Sequence, residues 1–204
     1  MRIEFFAKNN YFNAARLTLR LDMIESLKIL PVREAEIAAL RDISEETFIE
    51  AFASANDPVH FKTYIDKAFT LAQISREWHM DGSEFYFAKL GDSLAGYLKL
   101  NRGEAQTDHD VAIHLKTGLG DAMEIERIYL RGEYHGQGFG KALMQKSTDL
   151  ALKSGRDWLW LGVWEENKHA IEFYSRQGFE PFSQHDFYMG DDLQRDLLMK
   201  KRLV

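Results

Sequence analysis

The sequence predicts a single α/β domain of the α+β kind, in which helices flank a mixed central sheet. Strand-like residues 122–130, a long amphipathic helix and strand-like residues 158–164 follow one another, an order that implies a right-handed parallel crossover. Two hairpin patterns, within residues 85–100 and 179–203, add antiparallel strands. The chain has 204 residues, of which 45% are hydrophobic and 13% aromatic, so it fits one domain with a sizeable core.

Three helices are predicted before the first hairpin, from apolar residues at helical spacing. The first ends before Asn56-Asp57-Pro58, the second lies at residues 61–68, and the third follows a Thr70 cap and ends near Trp78. The apolar stripe of the first helix consists of Ile37, Leu40, Ile43, Phe48 and Phe52.

Each predicted hairpin is marked by a turn, at Gly91-Asp92 in the first and at Gly190-Asp191-Asp192 in the second. Residues 101–120 are polar and predict a long connection between the first hairpin and the crossover unit. The predicted hairpin strands cover residues 85–90, 93–100, 179–189 and 194–203.

The composition excludes several classes of function. A chain without cysteine has no disulfide, no thiolate metal site and no thiol nucleophile. Asp108, His109, Asp110 and His114 cluster in a polar stretch that we interpret as a solvated loop, so no metal site is predicted. The net charge of −6 argues against direct nucleic-acid binding and favours cationic small ligands. With no apolar stretch of membrane-span length and no evident secretory signal, we expect a cytoplasmic protein without membrane contact.

Residues 1–30 are predicted to be an N-terminal extension of unknown role, followed by the domain at residues 31–204. The part before Met23 carries four positive and two negative charges and lacks the acid-poor, serine-rich composition of a transit peptide. Two alternatives stay open for this part: a translation start at Met23, or a packed strand or helix.

A glycine-rich turn precedes the crossover helix and is predicted to bind an anion. Gly136, Gly138 and Gly140 lack a Cβ, so the backbone is free to bend and a ligand can approach closely. Apolar residues recur at helical spacing from Phe139 onward, so the free amides of residues 136–141 lie at a helix N-terminus, where the helix dipole favours an anion. The alternative is a tight strand-to-helix turn without a ligand.

The pattern of this turn is neither a dinucleotide fingerprint nor a P-loop. The third glycine of a fingerprint would fall at Leu143, and the Lys-Ser/Thr of a P-loop is absent. What remains, His135-x-x-Gly138-x-Gly140, resembles the Gln/Arg-x-x-Gly-x-Gly/Ala signature of the GCN5-related N-acetyltransferases, the GNAT superfamily. The resemblance implies a turn that holds the pyrophosphate of coenzyme A through main-chain amides. His135 stands where the family has Gln or Arg.

A second stretch, residues 158–180, is similar to the next strand and helix of the same superfamily. The C-terminal run HDFYMGDDLQRDLLMKK and the run LGVWEEN further resemble the bacterial Pai-type spermidine/spermine acetyltransferases, and the likeness spans about residues 31–204. The Asn-x-x-Ala-x-x-Phe-Tyr-x-x-x-Gly-Phe pattern of the family is carried by Asn167, Ala170, Phe173, Tyr174, Gly178 and Phe179.

The resemblance implies acetyl-CoA as co-substrate, no metal, and a defined set of coenzyme-binding residues. Main-chain N–H groups of the strand before the turn are expected to hold the pantetheine arm and to polarise the thioester carbonyl. The full expected set is Ile128, Tyr129, Leu130, His135, Gly136, Gln137, Gly138, Phe139, Gly140, Lys141, Asn167 and Tyr174.

Four side chains are candidates for functional roles, each with a structural alternative. Asn167, implied to hydrogen-bond the coenzyme, also suits a helix N-cap. Tyr174, implied to lie against the thioester sulfur as general acid, also suits a half-buried core. Glu126 and Glu124 lie two apart on a strand and face the same side, and they are the first and second choices for the proton acceptor. Their alternative is pairing with Arg127 or simple exposure.

These features predict an acetyl-CoA-dependent N-acetyltransferase in which the acceptor amine attacks directly, because no Cys or Ser nucleophile constellation is present. The acidic balance and the Pai-type resemblance favour a polyamine such as spermidine or spermine, with Glu165 or Glu166 near its distal charges. The alternatives are another amine (a protein N-terminus, lysine or an aminoglycoside) or, from what is associated with Pai-type relatives, an acetyl-CoA-responsive regulator of sporulation and protease production. A homodimer is also considered.

Overall fold

The computed structural model describes residues 26–107 and 122–204, in which one seven-stranded sheet has helices on both faces. The strands are β1 (Leu27–Pro31), β2 (Ser83–Leu90), β3 (Ser93–Arg102), β4 (Ala122–Leu130), β5 (Trp158–Trp164), β6 (Glu180–Met189) and β7 (Asp192–Arg202). They lie in the order β1-β2-β3-β4-β5-β7-β6, with β4 and β5 parallel and all other neighbours antiparallel. The predicted mixed central sheet is therefore confirmed.

The helices are α1 (Ile37–Phe52), α2 (Pro58–Ala68), α3 (Leu71–Trp78), α4 (Phe139–Lys153) and α5 (Lys168–Arg176). The three helices predicted before the first hairpin are confirmed, and their starts follow from local chemistry. The Asp57 carboxylate caps α2 by accepting from the amides of its first turn, and Pro58 fits the first helical position. The Thr70 hydroxyl caps α3 by accepting from the Gln73 amide at 3.1 Å.

Three predicted boundaries are corrected. β1 pairs with β2, so the sheet includes Leu27 and the residues after it, which the sequence assigned to the extension. β3 extends to Arg102, two residues into the predicted connection, because this end still pairs with β4. β7 begins at Asp192, which shortens the second hairpin turn to Gly190-Asp191. The rest of the predicted extension and the Asp108–His114 cluster lie outside the described residues.

The sheet separates two large hydrophobic cores, and a third, smaller cluster contains Ala122, Trp160 and Leu198. One core lies under α4 and contains Leu143 and Met144 of that helix, packed on β3, β4 and β5. The other lies under α1, α2 and α3 and is rich in aromatic rings, with Phe48, Phe61 and Tyr97 among its buried members. Because both faces are covered, the polar groups of the central strands are accessible only where the sheet itself opens.

The sheet opens between β4 and β5. These parallel strands pair over three positions, Ala122 with Trp158, Met123 with Leu159 and Glu124 with Trp160. Beyond them β4 continues to pair with β3 as far as Leu130, whereas β5 pairs with β7 as far as Trp164. The two strands therefore diverge and leave a wedge-shaped gap in the middle of the sheet.

A β-bulge in β4 changes which side chains face this gap. Lys99 of β3 pairs with Arg127 and its neighbour Leu100 pairs with Ile125, so Glu126 has no partner position on β3. The core under α4 accordingly takes Ile125 before the bulge and Ile128 after it, instead of every second residue. In a regular strand without the bulge, the side chain of Arg127 would lie on the same face of the sheet as that of Ile125.

Candidate active site

The gap between β4 and β5 widens into a cleft of about 1300 Å³. The ends of β4 and β5 and the first turns of α4 and α5 line one part of it. Aromatic residues of α1 and α2 and polar residues of β6 and β7 line the rest, so a ligand in the cleft touches both halves of the sheet. The cleft is lined by all four side chains that the sequence made candidates for functional roles: Glu124, Glu126, Tyr174 and Asn167.

The glycine turn opens into one end of the cleft. Gly136 has φ +70° and Gly138, which caps α4, has φ +96°, values that other residues rarely adopt. Gly140 has no positive φ, and a Cβ there would meet the Phe173 ring at 3.6 Å, an ordinary contact. The expectation of unusual backbone at all three glycines is therefore correct for two of them.

Free main-chain amides lie at the start of α4, where the sequence predicts an anion cradle. The first main-chain hydrogen bond of α4 is donated by Ala142 to the Gly138 carbonyl, at 3.1 Å. Within the described part of the chain, the amides of Phe139, Gly140 and Lys141 have no acceptor. Donors directed at one point of a helix N-terminus are suited to a phosphate.

Side chains of the turn differ in what they offer. His135, Gly136, Gly138, Gly140 and Lys141 line the cleft. Phe139 does not, because its ring is fully buried under α4, and Gln137 instead donates to the Glu133 carbonyl at 2.5 Å. Phe139 and Gln137 were both predicted to bind the coenzyme, and they can do so only through their main-chain groups.

The ring of His135 forms a hydrogen bond with the main chain of β4. Its Nε2 lies 2.9 Å from the Leu130 carbonyl oxygen, and since a carbonyl only accepts, Nε2 carries a proton and donates. This bond needs no charge on the imidazole, so the ring serves as a brace between the strand and the turn.

Main-chain groups at the end of β4 point into the gap. Arg131 donates its amide to the Ala95 carbonyl of β3 at 2.9 Å, and backbone groups alternate in direction along a strand. The amides of Leu130 and Ile128 therefore point away from β3, toward the side on which β5 has diverged. Tyr129, predicted with them, turns its amide to β3 and contributes its ring to the aromatic core.

Glu124 and Glu126 lie side by side, held by one amide group. Asn101 Nδ2 donates to Glu124 Oε2 at 3.0 Å and to Glu126 Oε2 at 2.6 Å, which confirms that both carboxyls face the same side. Their other partners differ. Glu126 forms ion pairs with Lys99 and Arg127, at 2.5 and 3.0 Å, so the pairing with Arg127 considered as an alternative is present.

Glu124 has neutral partners and is 2% exposed. It accepts from the Thr107 amide at 2.8 Å, from the Thr107 hydroxyl and from Asn101. Burial, together with the negative charge of Glu126, raises the pKa of Glu124 to about 7. A carboxyl with this pKa can accept and release a proton near neutral pH.

Tyr174 and Asn167 stand on the α5 side of the cleft. Asn167 Oδ1 accepts from the Ala170 amide at 3.2 Å, so the N-cap role expected for it is confirmed. The Tyr174 ring packs against Phe173 and Phe179, and burial raises the pKa of its hydroxyl to about 12. No hydrogen bond of this hydroxyl occurs among the residues that the structure describes, and Tyr174 is part of the cleft lining.

Sequence reasoning missed the contribution of the last two strands. Asp186 and Asp196 line the cleft, and His185 Nε2 lies 3.6 Å from Asp196 Oδ2. Glu165 and Glu166, expected near a distal charge, are exposed and lie outside the cleft lining. The strand positions of the two aspartates were predicted, but the pairing of β7 with β5, which brings them to the cleft, leaves no local signal in the sequence.

Comparison with known proteins identifies this architecture. Residues 37–179 match the acetyltransferase (GNAT) family. The chain belongs to that family. As a GNAT enzyme it is an acetyl-CoA-dependent N-acetyltransferase, which confirms the activity and co-substrate expected from the sequence.

Several relatives are named as N-acetyltransferases. An uncharacterized N-acetyltransferase in the pepI 3′ region of Lactobacillus delbrueckii subsp. lactis is 38% identical over 182 residues, covering 87% of this chain and 98% of that protein. A thialysine N-epsilon-acetyltransferase of Bos taurus is 32% identical over 88 residues, 41% of this chain and 52% of that protein. The crystal structure of the PaiA N-acetyltransferase from Thermoplasma acidophilum, in complex with coenzyme A, superposes with a TM-score of 0.65 at 19% identity. The superposition covers 87% of this chain and 99% of the PaiA chain. At 19% identity, it shows a shared fold.

Two further properties concern the described residues alone. In residues 26–107 and 122–204, no group of three or more His, Asp or Glu side chains is placed to hold a metal ion. No helix of that same portion is long and apolar enough to cross a membrane.

Proposed function

We propose that this enzyme transfers the acetyl group of acetyl-CoA to a polyamine, such as spermidine or spermine. The observation that carries the proposal is the presence of four carboxylates, Glu124, Glu126, Asp186 and Asp196, in the lining of the cleft. A polyamine presents several cationic nitrogens separated by alkyl segments, so it matches a cleft lined by several carboxylates.

Aromatic rings also line the cleft. Phe52 and Trp164 have their ring centroids 6.4 Å apart, and Tyr64 and Phe187 have theirs 5.5 Å apart. All four line the cleft. Alkyl segments of an amine pack well on such rings, and an ammonium above an aromatic face gains a cation–π attraction.

Acetyl-CoA supplies the acetyl group as an activated thioester, and the residues present fit its parts. The free amides at the start of α4 suit the pyrophosphate. The outward amides of Ile128 and Leu130 can donate to the thioester carbonyl oxygen as it gains negative charge. The gap between β4 and β5 leaves room for the extended arm that connects the two.

The acceptor nitrogen has to lose a proton before it attacks. An alkylammonium with a pKa of about 10.4 is deprotonated in roughly one molecule in 10³ at pH 7, a free-energy cost of about 4 to 5 kcal/mol. We assign the proton acceptor to Glu124 ahead of Glu126, the reverse of the order expected from the sequence, because Glu126 is paired with two cations whereas the partners of Glu124 are neutral. The Tyr174 hydroxyl donates a proton to the departing thiolate.

The test of the acceptor is a panel of amines assayed with acetyl-CoA by release of free thiol. We expect a higher kcat/KM for spermidine and spermine than for lysine peptides, thialysine or aminoglycosides. Good turnover of one of the latter with poor turnover of polyamines would overturn the acceptor assignment and leave the transferase activity standing. Absence of turnover with every amine would instead favour a regulator that senses acetyl-CoA.

A matched pair of variants locates the acceptor. Asp196→Asn should raise KM for spermidine several-fold and leave KM for acetyl-CoA unchanged, because Asp196 lies on the acceptor side of the cleft. Glu165→Gln is the control, since that side chain is exposed and outside the cleft. Equal effects of the two substitutions would contradict this placement.

Three companion predictions remain to be tested. We propose that residues 1–30 are dispensable for catalysis except for those that form β1, which truncation before Leu27 would test. A cytoplasmic location can be checked by cell fractionation. A homodimer can be checked by sedimentation of the purified chain.

A further inference from the structure

A compact group of four charged side chains adjoins the cleft: Glu77, Lys99, Glu126 and Arg127, which we call the ion array. Glu126 and Arg127 also line the cleft. Lys99 Nζ lies 2.8 Å from Glu77 Oε2 and 2.5 Å from Glu126 Oε2. Arg127 contacts the same two carboxylates, Glu77 at 2.9 Å and Glu126 at 3.0 Å. Two cations and two anions thus close a ring that joins α3, β3 and the bulge of β4.

The ion array is largely removed from water. The exposed fractions of its side chains are 6% for Lys99, 12% for Glu77 and 15% for both Glu126 and Arg127. Burial opposes the charged form of Glu77, yet Arg127 and Lys99 outweigh it and hold the pKa of Glu77 below its usual value. Since each charge has an opposite neighbour at short distance, breaking one pair leaves a buried charge uncompensated.

Glu126 belongs to both the ion array and the cleft. Its Oε1 faces Arg127, and its Oε2 faces Lys99 and the Asn101 amide. Each of its two oxygens thus pairs with a cation, and one of them also shares an amide donor with Glu124.

Glu124 is separated from this anion by the single amide group of Asn101. The groups that face Glu124 from the neighbouring elements are neutral: Asn101 from β3, Thr107 after β3, and Trp160 at its register position on β5. The nearest charge is that of Glu126 on β4, which pairs with Lys99 and Arg127. Arg127 and Asp196 of β7 line the same cleft.

We infer that Glu77, Lys99 and Arg127 are positioning residues of this enzyme, which hold Glu126 as a fixed anion beside the proton-accepting Glu124. The inference rests on the proposed role of Glu124. Glu77 and Lys99 do not line the cleft, so they influence the reaction through charge and through the position of Glu126. The fixed anion opposes ionisation of Glu124 and so makes that carboxyl basic enough to take a proton from an ammonium near neutral pH.

The test uses the sign of the charge that is removed. Glu77→Gln removes an anion, so the rising limb of kcat/KM against pH should move to lower pH. Lys99→Met removes a cation, so the limb should move to higher pH, and each shift should be about one pH unit or somewhat less. Lys99→Arg, which keeps the charge, should restore the limb toward its original position.

A double variant separates charge from damage to the fold. Glu77→Gln combined with Lys99→Met leaves Glu126 paired with Arg127 and restores a neutral array. Its limb should therefore return close to that of the unmodified enzyme, even if the protein is less stable. Shifts in the same direction for both single variants, or no shift in either, would overturn the inference.

An activity-independent readout covers the case in which no amine is turned over. Infrared difference spectra recorded across a pH titration report the protonated carboxyl of Glu124, assigned by its loss in Glu124→Gln. We expect its midpoint to move down in Glu77→Gln and up in Lys99→Met. If neither substitution changes the titration midpoint of the Glu124 carboxyl, the positioning role is excluded, whichever amine is the acceptor.

Discussion

Burial raises the pKa of both Tyr174 and Glu124. The pKa of Tyr174 rises to about 12, so its hydroxyl holds a proton throughout the neutral range. Burial and the nearby Glu126 raise the pKa of Glu124 to about 7, so that carboxyl divides between its two forms. These protonation states are those that the proposed roles require, with Tyr174 as proton donor and Glu124 as proton acceptor.

Tyr174→Phe is the direct test of the donor. The substitution keeps the ring that packs on Phe173 and Phe179 and removes the hydroxyl alone. We expect turnover to fall by about 10²- to 10⁴-fold with little change in coenzyme binding, measured by steady-state kinetics and calorimetry. Tyr188→Phe, at an exposed tyrosine, is the matched control. Near-normal turnover of Tyr174→Phe would exclude the role.

Glu124 also links catalysis to stability through pH. Its pKa in the folded protein, about 7, is above the ordinary value of 4.5, so folding favours the protonated form. The contribution of this form is complete below pH 4.5 and is lost as pH rises through about 7. Glu124→Gln, which stays neutral, should therefore gain in melting temperature relative to the unmodified protein between pH 5 and pH 8. A difference in melting temperature that does not change with pH would contradict this coupling.

At the scale of elements, the first turn of α4 depends on backbone that only glycine adopts easily. Gly138→Val forces a β-branched residue into a φ of +96°, at a cost of about 1 to 3 kcal/mol, and displaces amides of the anion cradle. We expect KM for acetyl-CoA to rise at least several-fold. The control is Gly155→Val, which imposes comparable strain, φ +69°, at the other end of the same helix with no atom within 4 Å of the new Cβ. Unchanged coenzyme affinity in calorimetry would refute the cradle.

Local patterns were sufficient to predict most elements. β4 and β5 were predicted with the bounds that the structure has, because apolar runs with clear turn signals define both. The glycine turn and the Asn167 cap were likewise predictable, since each depends on residues close in sequence.

What could not be predicted depends on contacts between distant residues. The bulge at Glu126 has no glycine to mark it, and it arises from register with β3. The ion array joins Glu77 to residues more than twenty positions away in the sequence, and Asp196 reaches the cleft through the pairing of β7 with β5. Tertiary packing determines such ion-pair and strand partners. The spacing of apolar residues along the sequence carries no information about them.

For the whole molecule, the divergence of β4 from β5 leaves main-chain groups of the central sheet without strand partners. Acetyl-CoA bound in the gap would satisfy some of them, so the folded state should gain free energy from the ligand. At a concentration 100 times Kd the gain is about 2.7 kcal/mol. We expect a rise in melting temperature with acetyl-CoA and stronger amide-exchange protection along residues 126–130, with Gly138→Val showing less of both. An unprotected β4 in the saturated enzyme would contradict binding in the gap.

The same divergence gives the molecule a fold that its own co-substrate completes. In a cell, proteases remove a protein mainly through its opened forms, whose population falls as a bound ligand stabilises the closed one. The abundance of this enzyme should therefore follow the acetyl-CoA supply without any change in its synthesis. Starvation would lower the amount of catalyst as well as its saturation, so the rate of amine acetylation should vary more steeply than the concentration of acetyl-CoA.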